Sequence, residues 1–266
     1  MHHMDNTIAV PKRLGGGGRL LDEAVRYAEE QHWEVLAGAW LEPGPEGTSA
    51  CSCASPACPA PGAHPAGPEW AAEVCCGTAA VRRAWGRHPR ASLLLPTGRT
   101  FDAIEVPESA GFHALARLER MGLPTSPAIS SPARRMAFLV LLGAGAKTAA
   151  LLDRMGWPTA SLGLTVRGPG EWVVAPPTRV QGGCAQWARH PCSTDPWLPD
   201  CEEVLGPLAY ACGREASDAR SASAGHRPKA AGSRERTVAR AGAGKTVGAG
   251  TAVGAGTAGR VRTAAG

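Results

Sequence analysis

Residues 91–108 read ASLLLPTGRTFDAIEVPE. The run begins as a short apolar strand, passes through a Thr-Gly turn and ends in a segment that carries Asp102, Glu105 and Glu108. Carboxylates that follow a buried strand are typical of a metal site for nucleotide chemistry, because Mg²⁺ prefers oxygen ligands. Pro107 stands where a second ligand of such a site is expected, two residues after Glu105.

Helices and strands alternate on both sides of this run. Apolar periodicity and stop signals predict helices over residues 20–32, 78–87, 108–121 and 147–155, and another that begins near residue 199. Strands are predicted over 33–41, 91–95, 136–142, 161–166 and 171–175, and the Gly-Pro-Gly between the last two is typical of a hairpin turn. This order predicts an α+β (mixed α/β) fold with one core around a central mixed sheet.

Composition predicts three segments. Residues 1–19 are Gly-rich and are expected to be flexible, residues 20–213 are expected to form the domain, and residues 214–266 are mostly Ala, Gly, Ser, Thr and Arg. The last segment has too few large apolar side chains to offset its chain entropy, which predicts a disordered tail. It carries ten Arg and Lys against three Asp and Glu, a net charge of +7, while the whole chain carries +5. Residues 1–213 therefore carry a net charge of −2. The tail is the part of the chain expected to attract a polyanion such as DNA, unless it is simply solvated.

Other classes of protein are disfavoured. No apolar run approaches the roughly 18 residues that span a bilayer, and the N-terminus lacks the order of a signal peptide. We therefore expect a cytoplasmic protein with no membrane partner. Nine cysteines is an odd number, which favours free thiols or metal ligands over a disulfide framework.

A Cys- and Pro-rich loop at residues 51–64 carries a candidate metal site. Cys51, Cys53, Cys58 and His64 follow the pattern Cys-x-Cys-x4-Cys-x5-His. Three thiolates and an imidazole can close a tetrahedral structural zinc site, and the metal would order a loop that has no core of its own. Reduced cysteines in an unstructured loop remain the alternative, since the first gap is shorter than usual.

Several short sequence motifs follow one another in a characteristic order along residues 21–214. They are Tyr-Ala at 27–28, PGAHP at 61–65, Trp70, Trp85, ASLLLPTG at 91–98 and WVVAPPT at 172–178. Together they resemble the primase-polymerase (Prim-Pol) domain of the archaeo-eukaryotic primase superfamily, also called the bifunctional DNA primase/polymerase N-terminal domain. The resemblance implies a sheet related to the RNA-recognition fold and template-directed nucleotide addition with Mg²⁺ or Mn²⁺. DNA is the partner that it implies.

The resemblance also implies where metal ligands should stand. Its Asp-x-Asp motif falls on residues 105–107, so that Glu105 is the one acid left and Pro107 replaces the second. Its Gly-Gly-x-His motif falls on residues 133–136 and ends in Met136, while its third acid falls on Gly163. Two-metal catalysis needs several converging carboxylates, so these losses argue against the usual site.

Two hypotheses follow. In the first, the chain is a nucleotidyltransferase with a reduced metal site that uses Glu105 and Asp102, although strand alternation puts these two on opposite faces. In the second, it is a non-catalytic module that keeps the scaffold and binds DNA or a protein partner. A set of arginines at strand ends, suited to phosphates without a metal, would serve the second: Arg99, Arg134, Arg135 and Arg167.

Overall fold

The computed structural model describes residues 16–44, 47–192 and 197–225. Five α-helices and twelve strands are present in these residues. The helices are α1 Gly16–Glu30, α2 Thr78–Arg87, α3 Glu108–Arg120, α4 Ala144–Arg154 and α5 Cys201–Gly225. The α+β class and the predicted helices are confirmed.

Two antiparallel sheets organise the strands. The larger has the order β12-β6-β7-β5-β8, with strands Gln186–Arg189, Ala128–Ser131, Arg135–Val140, Asp102–Pro107 and Thr165–Arg167. The smaller has the order β1-β4-β9, with strands Leu36–Gly38, Ser92–Pro96 and Trp172–Val174. Two short ribbons complete the set, β2 Leu41–Pro43 with β3 Ser49–Cys51 and β10 Arg179–Val180 with β11 Gly183–Cys184. Among the described strands every pairing is antiparallel, where the sequence suggested one mixed sheet.

Side-chain alternation along β5 divides the interior into two cores. Ala103 packs into a core shared with α1, α2 and the smaller sheet. Ile104 and Val106 point to the other face and pack against α3, α4 and α5. Since successive strand residues face opposite sides, Glu105 lies on the face of Ala103, towards the smaller sheet. The alternation of side chains along β5 therefore places Glu105 on the face of the larger sheet that is turned towards the smaller sheet.

Two turns carry the chain between the sheets. Residues 97–101 lead from β4 to β5, and residues 168–171 lead from β8 to β9. They pack directly on each other, since the Thr97 hydroxyl donates to the Gly168 carbonyl at 2.7 Å. Gly98 has φ +75°, and a Cβ there would stand 2.2 Å from Pro169 Cα. This turn contact requires glycine at position 98.

The predicted hairpin at residues 161–175 is wrong. β8 pairs with β5 in the larger sheet, whereas β9 pairs with β4 in the smaller one. The Gly-Pro-Gly turn reverses the chain, but the strand that follows it belongs to the smaller sheet. Likewise the strand predicted over 33–41 is two short strands, β1 and β2.

The segment 172–178 is tied to the rest of the fold by two hydroxyl groups. The Thr178 hydroxyl accepts from the Leu93 amide at 2.9 Å and donates to the Leu93 carbonyl at 3.1 Å. The buried Tyr27 hydroxyl donates to the Pro176 carbonyl at 2.8 Å. These contacts bring the pieces at 27–28, 91–98 and 172–178 together in the fold.

Both predicted domain boundaries fall inside helices. α1 begins at Gly16, within the segment expected to be flexible, and α5 continues to Gly225, twelve residues past residue 213. Ala-rich sequence favours a helix once its first turns are anchored by a core, and Val204, Leu205 and Leu208 provide that anchor. The expectations for residues 1–15 and 226–266 lie outside the described residues.

No helix among the described residues is long and apolar enough to cross a membrane.

Candidate functional site

A cleft of about 490 Å³ opens on the Glu105 face of the larger sheet, beside the smaller sheet. Its charged lining comes from β5, β7, β8 and the turn that follows β8. The side chains that define it are Glu105, Arg135, Arg167, Glu171 and Trp172. Two of the predicted arginines and the predicted acid are thus brought together.

Arg167 occupies the centre of the polar lining. Its Nε and Nη2 both donate to Glu105 Oε2 at 3.0 Å, and its Nη1 donates to Glu171 Oε1 at 2.8 Å. Glu171 is also held by the Gly168 amide, at 3.0 Å from Oε2. Partial burial opposes the charge of Arg167, but the hydrogen bond to Glu171 and the charge of Glu105 outweigh it and raise the guanidinium pKa. Arg167 therefore stays charged and neutralises the carboxylates of the cleft.

Arg135 differs from Arg167 in its partners. Its Nη2 donates to the backbone carbonyl of Glu105 at 3.0 Å. Within the part of the chain that the structure describes, Arg135 forms no ion pair with a carboxylate. Its positive charge remains available to a ligand in the cleft.

The other two predicted arginines lie outside the cleft lining. Arg134 adopts φ +60° and pairs with Glu108, with its Nη1 at 3.1 Å from Oε2. Arg99 pairs with Glu34 on an exposed part of the surface. Both guanidinium groups already have carboxylate partners.

Asp102 serves the fold on the opposite face of β5. Its side chain is 1% exposed, and Oδ2 accepts from the amides of Gly143 and Ala144, each at 2.9 Å. These amides begin α4, so Asp102 compensates the unsatisfied donors and positive dipole end of that helix. As strand alternation predicts, Asp102 and Glu105 do not share a site.

Of the three positions where the resemblance implies a ligand that this chain lacks, two lie together and the third lies in the core on the other face of the larger sheet. Pro107 and Gly163 are neighbours, since a Cβ on Gly163 would lie 3.5 Å from Pro107 Cγ. Met136 is fully buried on the opposite face, where a Cβ on Gly111 of α3 would meet its Sδ at 2.6 Å. Within residues 133–136, Ala133 and Arg135 line the cleft, and Met136 does not.

The cleft lining holds two carboxylates, Glu105 and Glu171, and both are hydrogen-bonded to Arg167. Glu108, the remaining acid of the run, bonds to the Ser130 hydroxyl at 2.6 Å and to Arg134. Across residues 16–44, 47–192 and 197–225, one group of three or more Cys, His, Asp or Glu side chains is placed to share a metal ion, and it contains no carboxylate.

That group consists of the four predicted ligands Cys51, Cys53, Cys58 and His64. Their ligand atoms all lie within 4.8 Å of one another, and Cys51 Sγ is 3.3 Å from His64 Nε2. A backbone hydrogen bond from Ser55 lowers the pKa of Cys53, whereas burial raises the pKa of Cys58. His64 Nδ1 contacts the Pro65 carbonyl at 2.6 Å, which orients the ring with Nε2 towards the thiols. Three thiols and one imidazole are the donor set of a closed metal site.

The loop that carries these ligands also forms one wall of the cleft. Pro59, Ala60, Pro61 and Ala63 line it. The Trp172 indole N–H donates to the Ala63 carbonyl at 2.9 Å, so the loop is fastened to β9 at the cleft. We call residues 51–64 the metal loop, after its four candidate ligands. Order in the metal loop and the shape of the cleft are therefore linked.

Residues 24–202 match the sequence profile of the family described as bifunctional DNA primase/polymerase, N-terminal (Prim-Pol). The chain belongs to the Prim-Pol family. The polymerase domain of Mycobacterium tuberculosis ligase D, solved in complex with DNA, is similar at 15% identity and a TM-score of 0.32, over 76% of this chain and 92% of that one. No curated protein matches the chain.

The sequence did not reveal the ion-pair network of this Prim-Pol cleft. Arg167 reaches Glu105 because β8 pairs with β5, and that pairing was hidden by the hairpin prediction. Arg167 and Glu171 are four residues apart on either side of the Gly-Pro-Gly turn. That spacing was the available signal for their ion pair.

Proposed function

We propose that this Prim-Pol domain binds nucleotide or DNA phosphate in its cleft through guanidinium groups and does not perform two-metal nucleotidyl transfer. The observation that carries the proposal is the pair of hydrogen bonds from Arg167 to Glu105. A guanidinium occupies the place beside the remaining acid where a catalytic cation would bind.

The charge balance of the cleft supports this proposal. Two-metal transfer requires carboxylates that bridge cations about 4 Å apart. Here Glu105 and Glu171 are both engaged by Arg167. A divalent cation would have to displace Arg167 and leave its partly buried charge without a partner, which is costly.

Arg135 and Trp172 suit a nucleotide. Arg135 offers a guanidinium that is not paired with a carboxylate among the described residues, and a guanidinium binds phosphate in bidentate geometry. Trp172 lines the same cleft with a large aromatic surface, on which a base can stack. The ligand class is therefore an anionic nucleotide or a DNA strand end.

The Cys51–His64 loop is proposed to hold a structural zinc ion. The four protein ligands fill a tetrahedral shell and leave no open position for water or substrate. The metal would stabilise the loop and, through Ala63 and Trp172, the wall of the cleft.

Binding of a deoxynucleoside triphosphate and of single-stranded DNA, with and without Mn²⁺, tests the cleft. We expect binding that needs no divalent cation, persists in Glu105→Gln and falls about tenfold in Arg135→Gln, since one charge-assisted phosphate contact is lost. Arg134→Gln is the matched control, because this neighbouring arginine lies outside the cleft lining.

The same proteins should be assayed for primer extension. Mn²⁺-dependent extension that disappears in Glu105→Gln would overturn the proposal in favour of a nucleotidyltransferase with a reduced metal site. A chain that ends at Gly225, the last residue of α5, separates cleft binding from binding by the basic tail.

A further inference from the structure

A second hollow lies on the other side of the metal loop from the cleft. It has a volume of about 590 Å³ and lies between α2 and the segment around β1. We call it the α2 groove and define it by Trp40, Cys53, Glu73, Arg83, Arg87 and His88. Cys53 lines this groove, whereas Pro59, Ala60, Pro61 and Ala63 of the same loop line the cleft.

The α2 groove is positively charged. Arg83 and Arg87 are one helical turn apart and both line it. Within the described part of the chain, neither forms an ion pair with a carboxylate. Glu73 is the one acidic residue of the lining. Two unpaired guanidinium groups against one carboxylate leave a surface that attracts anions.

An aromatic pair lines part of the α2 groove. The rings of Trp40 and His88 are stacked, with centroids 5.6 Å apart and an interplanar angle of 29°. Arg90 lies 6.0 Å from the Trp40 ring and pairs with Glu42, so it fixes the tryptophan and leaves the groove charges to Arg83 and Arg87. His88 is exposed and extends the stack towards solvent.

We propose that the α2 groove binds single-stranded nucleic acid. Arg83 and Arg87 contact the phosphates, and an unpaired base stacks on His88. Sites for single strands combine a basic groove with aromatic platforms, because every base has a face that can stack. A duplex keeps its bases paired and offers none to His88. The site is separate from the cleft and does not depend on what the cleft binds.

The test uses the full-length protein and a fluorescent oligothymidylate of about 20 nucleotides, with binding followed by anisotropy over a range of KCl concentrations. The double variant Arg83→Ala/Arg87→Ala should bind on the order of tenfold more weakly at low salt. Its slope of log K against log salt should fall in magnitude by about 1.4, which corresponds to two phosphate contacts on a single strand.

Arg120→Ala/Arg154→Ala is the matched control. It removes the same charge from α3 and α4, and neither arginine forms an ion pair among the described residues. It should keep the wild-type slope, and thermal melts of both double variants verify folding. Equal losses in the two double variants would overturn the proposal, because they would indicate a response to net charge alone.

Two further probes test the assignment to a single strand. His88→Ala should weaken oligothymidylate binding and leave duplex binding unchanged. A duplex that depends on Arg83 and Arg87 as strongly as the single strand does would contradict the assignment, as would polyglutamate that competes as well as the oligonucleotide. The cleft variant Arg135→Gln should keep the contribution of Arg83 and Arg87, so failure of the cleft proposal and failure of this one are distinguishable.

Discussion

The sequence predicts metal-binding side chains in both the metal loop and the cleft. The two regions differ in the partners that those side chains have in the structure. In the loop, the ligand atoms of three thiols and one imidazole lie within 4.8 Å of one another. In the cleft, Glu105 is already neutralised by Arg167, and Asp102 caps a helix on the other face. Carboxylates are easily satisfied by arginine or by backbone amides, while clustered thiols have no comparable partner in a protein. A carboxylate site that loses ligands is therefore readily replaced by ion pairs.

The two sites also differ in how they are assembled. The loop ligands lie within fourteen residues of one another, whereas the cleft depends on β5, β7 and β8, which are up to 62 residues apart in the Glu105–Arg167 pair. When one ligand of a site built from distant strands is lost, the remaining ligands can form ion pairs or hydrogen bonds with other residues. A local site keeps its geometry as long as its loop does.

Removal of the metal should have the largest effect. With zinc at about a thousandfold excess over its dissociation constant, the bound ion adds about 4 kcal/mol to the free energy of unfolding. A chelator should remove that contribution in the wild type, measured by urea denaturation with and without zinc. Cys53→Ser should show no zinc dependence, and Cys76→Ser, an exposed thiol outside the loop, should behave as wild type. A chelator without effect on the wild type would mean that the loop is ordered by its own contacts.

The loop could be predicted because its information is local. The spacing of Cys51, Cys53, Cys58 and His64 names the ligands directly, and the fold adds only their convergence. Helices α2, α3 and α4 could be predicted for the same reason, because their apolar periodicity and their stop signals lie in consecutive residues.

The cleft could be predicted only in part. Strand alternation separated Asp102 from Glu105 correctly, but strand pairing is a long-range property that periodicity does not contain. The contact between Arg167 and Glu105, the burial of Met136 beside the cleft-lining Arg135, and the separate sheets of β8 and β9 all depend on pairing. The helical end of α5 was missed for another reason, because composition describes a segment without the core that anchors it.

Loss of the central guanidinium should have the next largest effect. Arg167→Met leaves Glu105 and Glu171 facing each other without a cation, and we expect a loss of about 1.5 kcal/mol in the free energy of unfolding. Arg26→Met is the matched control, because Arg26 also pairs with two glutamates, on the exposed surface of α1. It should cost less than about 0.5 kcal/mol. Equal losses in the two variants would show that the cleft pairs are ordinary surface pairs.

Restoration of acids should turn the cleft into a cation site. The triple variant Pro107→Asp/Gly163→Asp/Arg167→Ala adds two carboxylates at adjacent positions and removes the competing guanidinium. Asp is acceptable at position 107, the N-cap of α3, and it tolerates the φ of +61° at position 163. We expect Mn²⁺ binding on the order of tenfold tighter than in the wild type, measured by calorimetry. The matching Asn variant, which has the shape without the charge, should gain little. Similar Mn²⁺ affinity in wild type and triple variant would mean that Arg167 does not exclude the cation.

The smallest effect is expected at Asp102, and it separates structure from chemistry on the same strand. Asp102→Ala removes the acceptor of two α4 amides, but it also removes a buried charge whose Oδ1 has no hydrogen-bond partner in the structure. Since these contributions oppose each other, the net loss in the free energy of unfolding should be about 1 kcal/mol, the usual value for a helix cap. Asp102→Asn keeps an acceptor and should recover part of it. Neither variant should change nucleotide binding in the cleft, because Asp102 faces α4. A binding defect in Asp102→Asn with unchanged stability would place this residue in the site after all and would weaken the contrast between the two faces of β5.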